Sequence, residues 1–400
     1  MKEVGRNPQR SVRQGQARLG CAETAEARSR GPQAGICPVT LALEGGGSLG
    51  AFTWGVLDRL VDVPRLRIEV VSGSSAGALN AAMLAQGLAT GGPAEAKRLL
   101  EAFWQRVAIA AGSLPGPADA WLHMFAGAMA PVIDAVRQTA AAWSPGAGQS
   151  GINPLRGILG ELLDPAAFAS PRAPTLVVAA TRVRTGETLL FQGSEVTVDA
   201  LLASACLPQL FPAVKIDGEA YWDGGYTSNP PLRPLIEAGA PSDVLVVRTT
   251  PLARPSGATD AASVHERANE ITFGSALRHE LRSLAVAQEL LADVPPTPGP
   301  LARLRNARVH MLGAEDEFRA MRGGSRQDPT WSFLSKMRRL GHRAADRWLG
   351  EHLPMIGARS TVDLAQFAGP VLERGACGLA AAGHAGRPCL RQDYAGEPAR

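Results

Sequence analysis

Pro38-Val39-Thr40-Leu41-Ala42-Leu43 runs into Glu44-Gly45-Gly46-Gly47-Ser48-Leu49-Gly50, and Leu66-Arg67-Ile68-Glu69-Val70-Val71 runs into Ser72-Gly73-Ser74-Ser75-Ala76-Gly77. Each is a short apolar run, a glycine-bearing turn and then a helical stretch. Phe52, Val56, Leu57 and Leu60 recur at helical spacing after the first turn, and an Ala/Leu-rich helix to about Gly87 follows the second. Strand, turn and helix in repetition predict a parallel sheet covered by helices, with the loops gathered at the carboxyl ends of the strands. The expected class is therefore α/β.

Outward from that core, the strand pattern resumes at Thr175–Ala180, Thr188–Phe191, Val244–Thr249 and Val309–Leu312. Between about 91 and 171 no strand pattern occurs. That stretch, broken by Pro and Gly and carrying Trp104, Trp121, Met124, Phe125, Met129 and Trp143, reads as a helical insertion or cap. Leu334, Met337, Leu340, Ala344, Trp348 and His352 form a stripe that predicts a helix from about Trp331 to Leu353. Its Lys336, Arg338, Arg339, Arg343 and Arg347 read as a solvated basic face. The expected organisation is a basic, disordered leader over 1–37, an α/β domain over 38–250 and a mostly helical extension over 251–365 packed on the same domain. A poorly ordered tail follows over 366–400.

A chain of 400 residues, 45% hydrophobic and 20% charged, can bury a large core. The net charge of +4 belongs to the leader, where seven Lys/Arg face three Glu; the rest of the chain holds 34 of each sign out of totals of 41 and 37. The body thus gives no support for a nucleic-acid-binding face. Cys21, Cys37, Cys206, Cys377 and Cys389 have neither the pairing of a disulfide framework nor metal-ligand spacing. The N-terminus lacks the apolar region of a secretory signal, and no 18-residue uncharged apolar run exists, so no transmembrane segment is expected. The expected location is cytoplasmic, with peripheral attachment to a membrane as the alternative; oligomeric state stays open.

Gly73-Ser74-Ser75-Ala76-Gly77 is G-x-S-x-G between a predicted strand and a predicted helix, the context in which a serine becomes an exposed nucleophile. Read alone, it also fits a helix N-cap serine. A serine nucleophile needs a proton acceptor and donors for an oxyanion. Gly45, Gly46 and Gly47 can supply backbone donors, whereas Gly45, Gly47 and Gly50 also fit the G-x-G-x-x-G of a dinucleotide site. That site wants an acidic residue at the end of the second strand; this chain has Gly73-Ser74-Ser75 there. Asp223, followed by Gly224 and Gly225, is a candidate acceptor, though D-G-G is also a plain turn.

In this order, the glycine run 44–50, the elbow 73–77 and the 223–225 turn resemble the patatin-like phospholipases, as do Ala203–Pro212 and Asn229-Pro230-Pro231-Leu232. Ile271-Thr272-Phe273 and Gly357–Leu364 look similar to bacterial members with a C-terminal extension. The resemblance implies a three-layer α/β/α fold and a Ser–Asp dyad that cleaves fatty acyl esters without metal or cofactor. On it, Ser75 is the nucleophile, Asp223 the proton acceptor and Gly45, Gly46 and Gly47 the oxyanion donors, with Gly50, Gly73, Gly77, Gly224 and Gly225 supporting the motifs. Glu44 stands where many relatives carry Asp, Gly or Gln; little effect on catalysis is expected from it. Two alternatives stay open: a Ser–His–Asp hydrolase using His279, His310 or His342, and a lipid- or membrane-binding protein without catalysis.

Overall fold

The computed structural model describes residues 35–113, 153–208, 210–254, 261–295, 298–321 and 325–368. The leader to residue 34, the tail from 369 and the insertion over 114–152, with Trp121, Met124, Phe125, Met129 and Trp143, lie outside the described residues. Eight strands form one sheet: β1 Cys37–Leu43, β2 Leu66–Gly73, β3 Thr175–Arg182, β4 Thr188–Gln192, β5 Val214–Ile216, β6 Glu219–Asp223, β7 Asp243–Val247 and β8 Arg308–Leu312. Their order is β5-β6-β3-β2-β1-β7-β8, with β4 paired to β3. The run from β3 to β8 is parallel, and antiparallel β4, β5 and β6 close the other edge.

The central strands read as continuous apolar runs because both their faces are covered. On β1, Val39, Leu41 and Leu43 enter one core while Ala42 enters a second; on β7, Leu245 and Val247 take the first and Val244 and Val246 the second. Helices α1 Gly50–Leu60, α2 Ala76–Thr90, α3 Gly92–Ser113, α4 Pro154–Leu162 and α5 Val198–Ser204 pack with the larger core. The opposite face takes α6 Arg233–Ala238, α7 Ala261–Leu290 and α8 Pro300–Asn306. Short α9 Glu315–Ala320 and long α10 Trp331–His352 complete the helices of the described residues, and α10 lies on the α1 side. The result is the expected mixed α/β architecture, helices on both faces of a mostly parallel sheet.

The predicted strands at 175, 188, 244 and 309 are all found, and α10 starts and stops within a residue of expectation. Its basic face is less free than expected. Arg338 binds Asp58 at 2.6 Å and stacks 4.2 Å from the Trp54 ring, and Arg347 reaches Glu317 at 3.3 Å. Close approach of α1 and α10 explains this: a Cβ on Gly55 would meet Arg338 O at 1.9 Å, and one on Gly341 would meet Phe52 O at 2.0 Å. Trp104 is also core, fully buried and donating its indole N–H to Asn80 at 3.0 Å.

Candidate active site

Parallel β1 and β2 end side by side, with Leu43 opposite Gly73, so the glycine run and the serine elbow leave the sheet as neighbouring loops. Ser75 takes φ 54° and ψ −129°, a left-handed conformation costly for a residue with a Cβ and the mark of a tight strand-to-helix turn. The turn is that tight because α2 folds straight back over the strand ends. A Cβ on Gly77 would lie 2.2 Å from Leu43 O, and one on Gly73 2.4 Å from the Gly77 carbonyl carbon.

The glycine run presses on the elbow at both ends. A Cβ on Gly45 would sit 2.8 Å from Ser75 Cβ, and one on Gly50 2.7 Å from Ala76 Cβ. Gly47 has φ 60°, so the chain turns there into a short 3-10 segment, Gly47–Leu49. The expectation that all three glycines serve as oxyanion donors is corrected for Gly45. Its N–H is donated to Asn229 Oδ1 at 2.7 Å, because the loop must be tied to the far side of the site to keep its shape. The N–H groups of Gly46 and Gly47 go to no described group. Neither does that of Ala76, the first residue of α2, a donor the sequence reading did not name. The elbow motif is its signal, since the residue after the nucleophile supplies an oxyanion N–H in such turns.

Asp223 closes β6, whose antiparallel register on β3 places it opposite Ala180. It is 1% exposed, its carboxylate interacts with the Ser75 hydroxyl, and its Oδ1 takes the Gly225 N–H at 2.7 Å. Burial pushes its pKa up to about 7, against the opposing pull of the Ser75 hydroxyl and the Gly225 N–H. Gly224 and Gly225 are there for closeness: a Cβ would meet Ala179 O at 2.2 Å in one case and the Phe273 ring at 2.6 Å in the other.

The end of α5 and the chain just after it brace both reactive residues. Ser75 N–H is donated to Ser204 O at 3.1 Å and Ser204 Oγ at 3.0 Å, and Asp223 N–H to Cys206 O at 2.8 Å. Asn229 joins the site to α7, donating its amide to Phe273 O at 3.1 Å. Glu44 enters a buried socket: Oε2 accepts Thr249 N–H at 2.6 Å and Thr250 N–H at 2.9 Å. It therefore holds the loop after β1 to the loop after β7, a role its sequence context did not reveal.

Among the described residues, no histidine joins Ser75 to Asp223. His310, on β8, is fully buried and bonds Asp243 Oδ1 at 3.1 Å; Asp243 begins β7, at the end of the sheet opposite the elbow. His279 is exposed on α7, and His342 faces Asp346 on exposed α10 surface. The described residues contain no cluster of three or more metal-ligating side chains and no helix long and apolar enough to cross a membrane.

Residues 41–236 match the family model described as patatin-like phospholipase. A solved structure titled "Crystal structure of VipD from Legionella pneumophila" is similar at a TM-score of 0.35 and 16% identity, covering 80% of this chain and 67% of that one. No curated protein matches the chain.

Proposed function

Residues 41–236 form a patatin-like phospholipase domain, and from that premise we propose that the chain is a serine lipid acyl hydrolase working through a Ser75–Asp223 dyad. The observation that carries this is Ser75, held at φ 54° in a tight strand-to-helix turn, interacting with a buried Asp223 whose pKa is pushed up to about 7. An ordinary aspartate holds protons too weakly to help a hydroxyl attack; one poised near neutrality is matched to the task.

The mechanism follows from the positions. Ser75 Oγ attacks the ester carbonyl and forms a C–O bond as its proton passes to Asp223. The tetrahedral oxyanion is held by the Gly46 and Gly47 N–H groups, with the Ala76 N–H beside them at the positive end of α2. Collapse expels the alcohol, which takes the proton from Asp223, and leaves an acyl-Ser75. Water then attacks the acyl group, Asp223 receives its proton, and the fatty acid departs as Ser75 is reprotonated. No step calls for a metal or cofactor.

Fluorophosphonate labelling with the adduct located by peptide mass spectrometry tests the proposal. The expected result is modification at Ser75 in the parent protein and its loss in Asp223→Asn. A folded protein that resists labelling in the presence of lipid or detergent would instead be a non-catalytic lipid binder.

A further inference from the structure

A cavity of about 70 Å³ lies between the chain leaving β7 and one face of α7, with Glu44, which leads into the glycine loop, in its wall. Arg267, Glu270, Ile271, Gly274 and Arg278 line it, spaced three, four, seven and eleven residues from the first, the periodicity of a single helix face. Arg248, Thr250 and Glu44 form the opposite wall. Its charges are unevenly committed. Arg248 is taken by Glu315 and by Thr250 O, and Arg267 gives one N–H to Glu270 at 3.0 Å. Arg278, at the mouth, has no hydrogen-bond or ion-pair partner among the described residues, and the positive charges of Arg248 and Arg267 add to desolvation in depressing its pKa.

The acidic lining does not cancel this. Glu270 already receives Arg254 and Arg267, and Glu44 accepts two backbone N–H groups while burial favours its protonated form. Thr250 Oγ1 accepts from Arg326 at 3.1 Å and keeps its own proton to donate. Gly274 is a second, independent sign. A glycine inside a helix costs about 1 kcal/mol relative to alanine, yet a Cβ here would meet only Thr250 Cγ2, at 3.9 Å. Packing does not demand the glycine; its missing side chain is what leaves the cavity open.

We propose that this cavity is a subsite for a single phosphate group, received by Arg278 at the mouth with Arg248 and Arg267 behind it, and coupled to the glycine loop through Glu44. A tetrahedral oxyanion offers acceptors to several guanidinium forks at once and relieves the repulsion among them. The phosphate can arrive on a phospholipid headgroup, which rests on the hydrolase reading above, or as a free phosphomonoester acting on the loop through Glu44.

Calorimetry with inorganic phosphate and glycerol 3-phosphate, on Ser75→Ala protein, tests the site apart from catalysis. Saturable binding is expected, weakened about tenfold or more by Arg278→Gln, partly restored by Arg278→Lys, and blocked by Gly274→Val, which fills the cavity. Kinetics then separate the sources. If the headgroup is bound, Arg278→Gln raises KM for dioleoylphosphatidylglycerol vesicles and leaves p-nitrophenyl butyrate hydrolysis unchanged. If a free ligand is bound, phosphate alters p-nitrophenyl butyrate turnover in the parent protein and not in Arg278→Gln. Absence of saturable binding, or binding indifferent to both substitutions in folded protein, overturns the subsite. Binding that persists in a protein inert toward every ester would sink the hydrolase reading and leave the subsite standing.

Discussion

An aspartate of ordinary pKa is a poor base toward a serine hydroxyl, and burial is what changes Asp223. With its pKa at about 7, kcat/KM for p-nitrophenyl butyrate is expected to rise with pH through about 7 and then level, as the base form fills. A profile flat from pH 5 to 8 would count against Asp223 as the base. The same shift carries a stability cost of defined sign. Because the folded pKa lies above the ordinary aspartate value of 3.8, the stability linked to this group is full below about 4 and is lost as pH rises through about 7. Asp223→Asn should therefore abolish turnover yet raise the melting temperature by a few degrees, by a margin that grows between those limits. Scanning calorimetry at pH 4 and pH 8 checks this.

Between elements, the site is a set of loops bound to one another across the carboxyl ends of strands. Glu44 ties the exit of β1 to that of β7, Asn229 ties the glycine run to α7, and Ser204 ties the elbow to the end of α5. Glu44→Gln keeps an accepting oxygen for both threonine N–H groups and should retain most activity. Glu44→Ala leaves two buried N–H groups unpaired, at a cost of about 2–4 kcal/mol, and with the loop loosened kcat/KM should fall about tenfold to a hundredfold. Urea denaturation and ester kinetics on the two variants read both effects; equal behaviour of Ala and Gln would show that the socket is not what shapes the loop. Asp217 and Gly218, at φ 51° and 82°, make the tight turn between β5 and β6. Asp-Gly is the sequence signature of such a hairpin, so these two strands, absent from the sequence-level strand assignment, did have a readable signal.

Across the whole molecule, the end of the sheet opposite the elbow is fastened by Asp243. Burial alone would raise its pKa, but hydrogen bonds from His310, Arg308 and Gly357 and the Arg308 charge hold it below the usual carboxylate range. The stability from this cluster is present above the ordinary carboxylate pKa and lost as pH falls below it. Asp243→Asn should cost about 2–4 kcal/mol near neutrality, with the difference from the parent shrinking as pH falls below about 4, while fluorophosphonate labelling at Ser75 is kept. A penalty constant with pH in denaturant titrations would contradict the charge argument. The chain itself determined the α/β class, the main parallel strands and the close pairing of glycine run and serine elbow. Apolar period, glycine placement and strand–turn–helix order are local properties, and adjacent parallel strands must deliver their loops to one end. What only the folded molecule decided is non-local. Asp223 acquires its pKa from burial against segments far along the chain, Gly45 loses its N–H to a residue 184 positions away, and Glu44 gains its role from Thr249 and Thr250. Spacing along the sequence carries no record of such long-range desolvation and hydrogen bonding, because both depend on which surfaces the fold brings together.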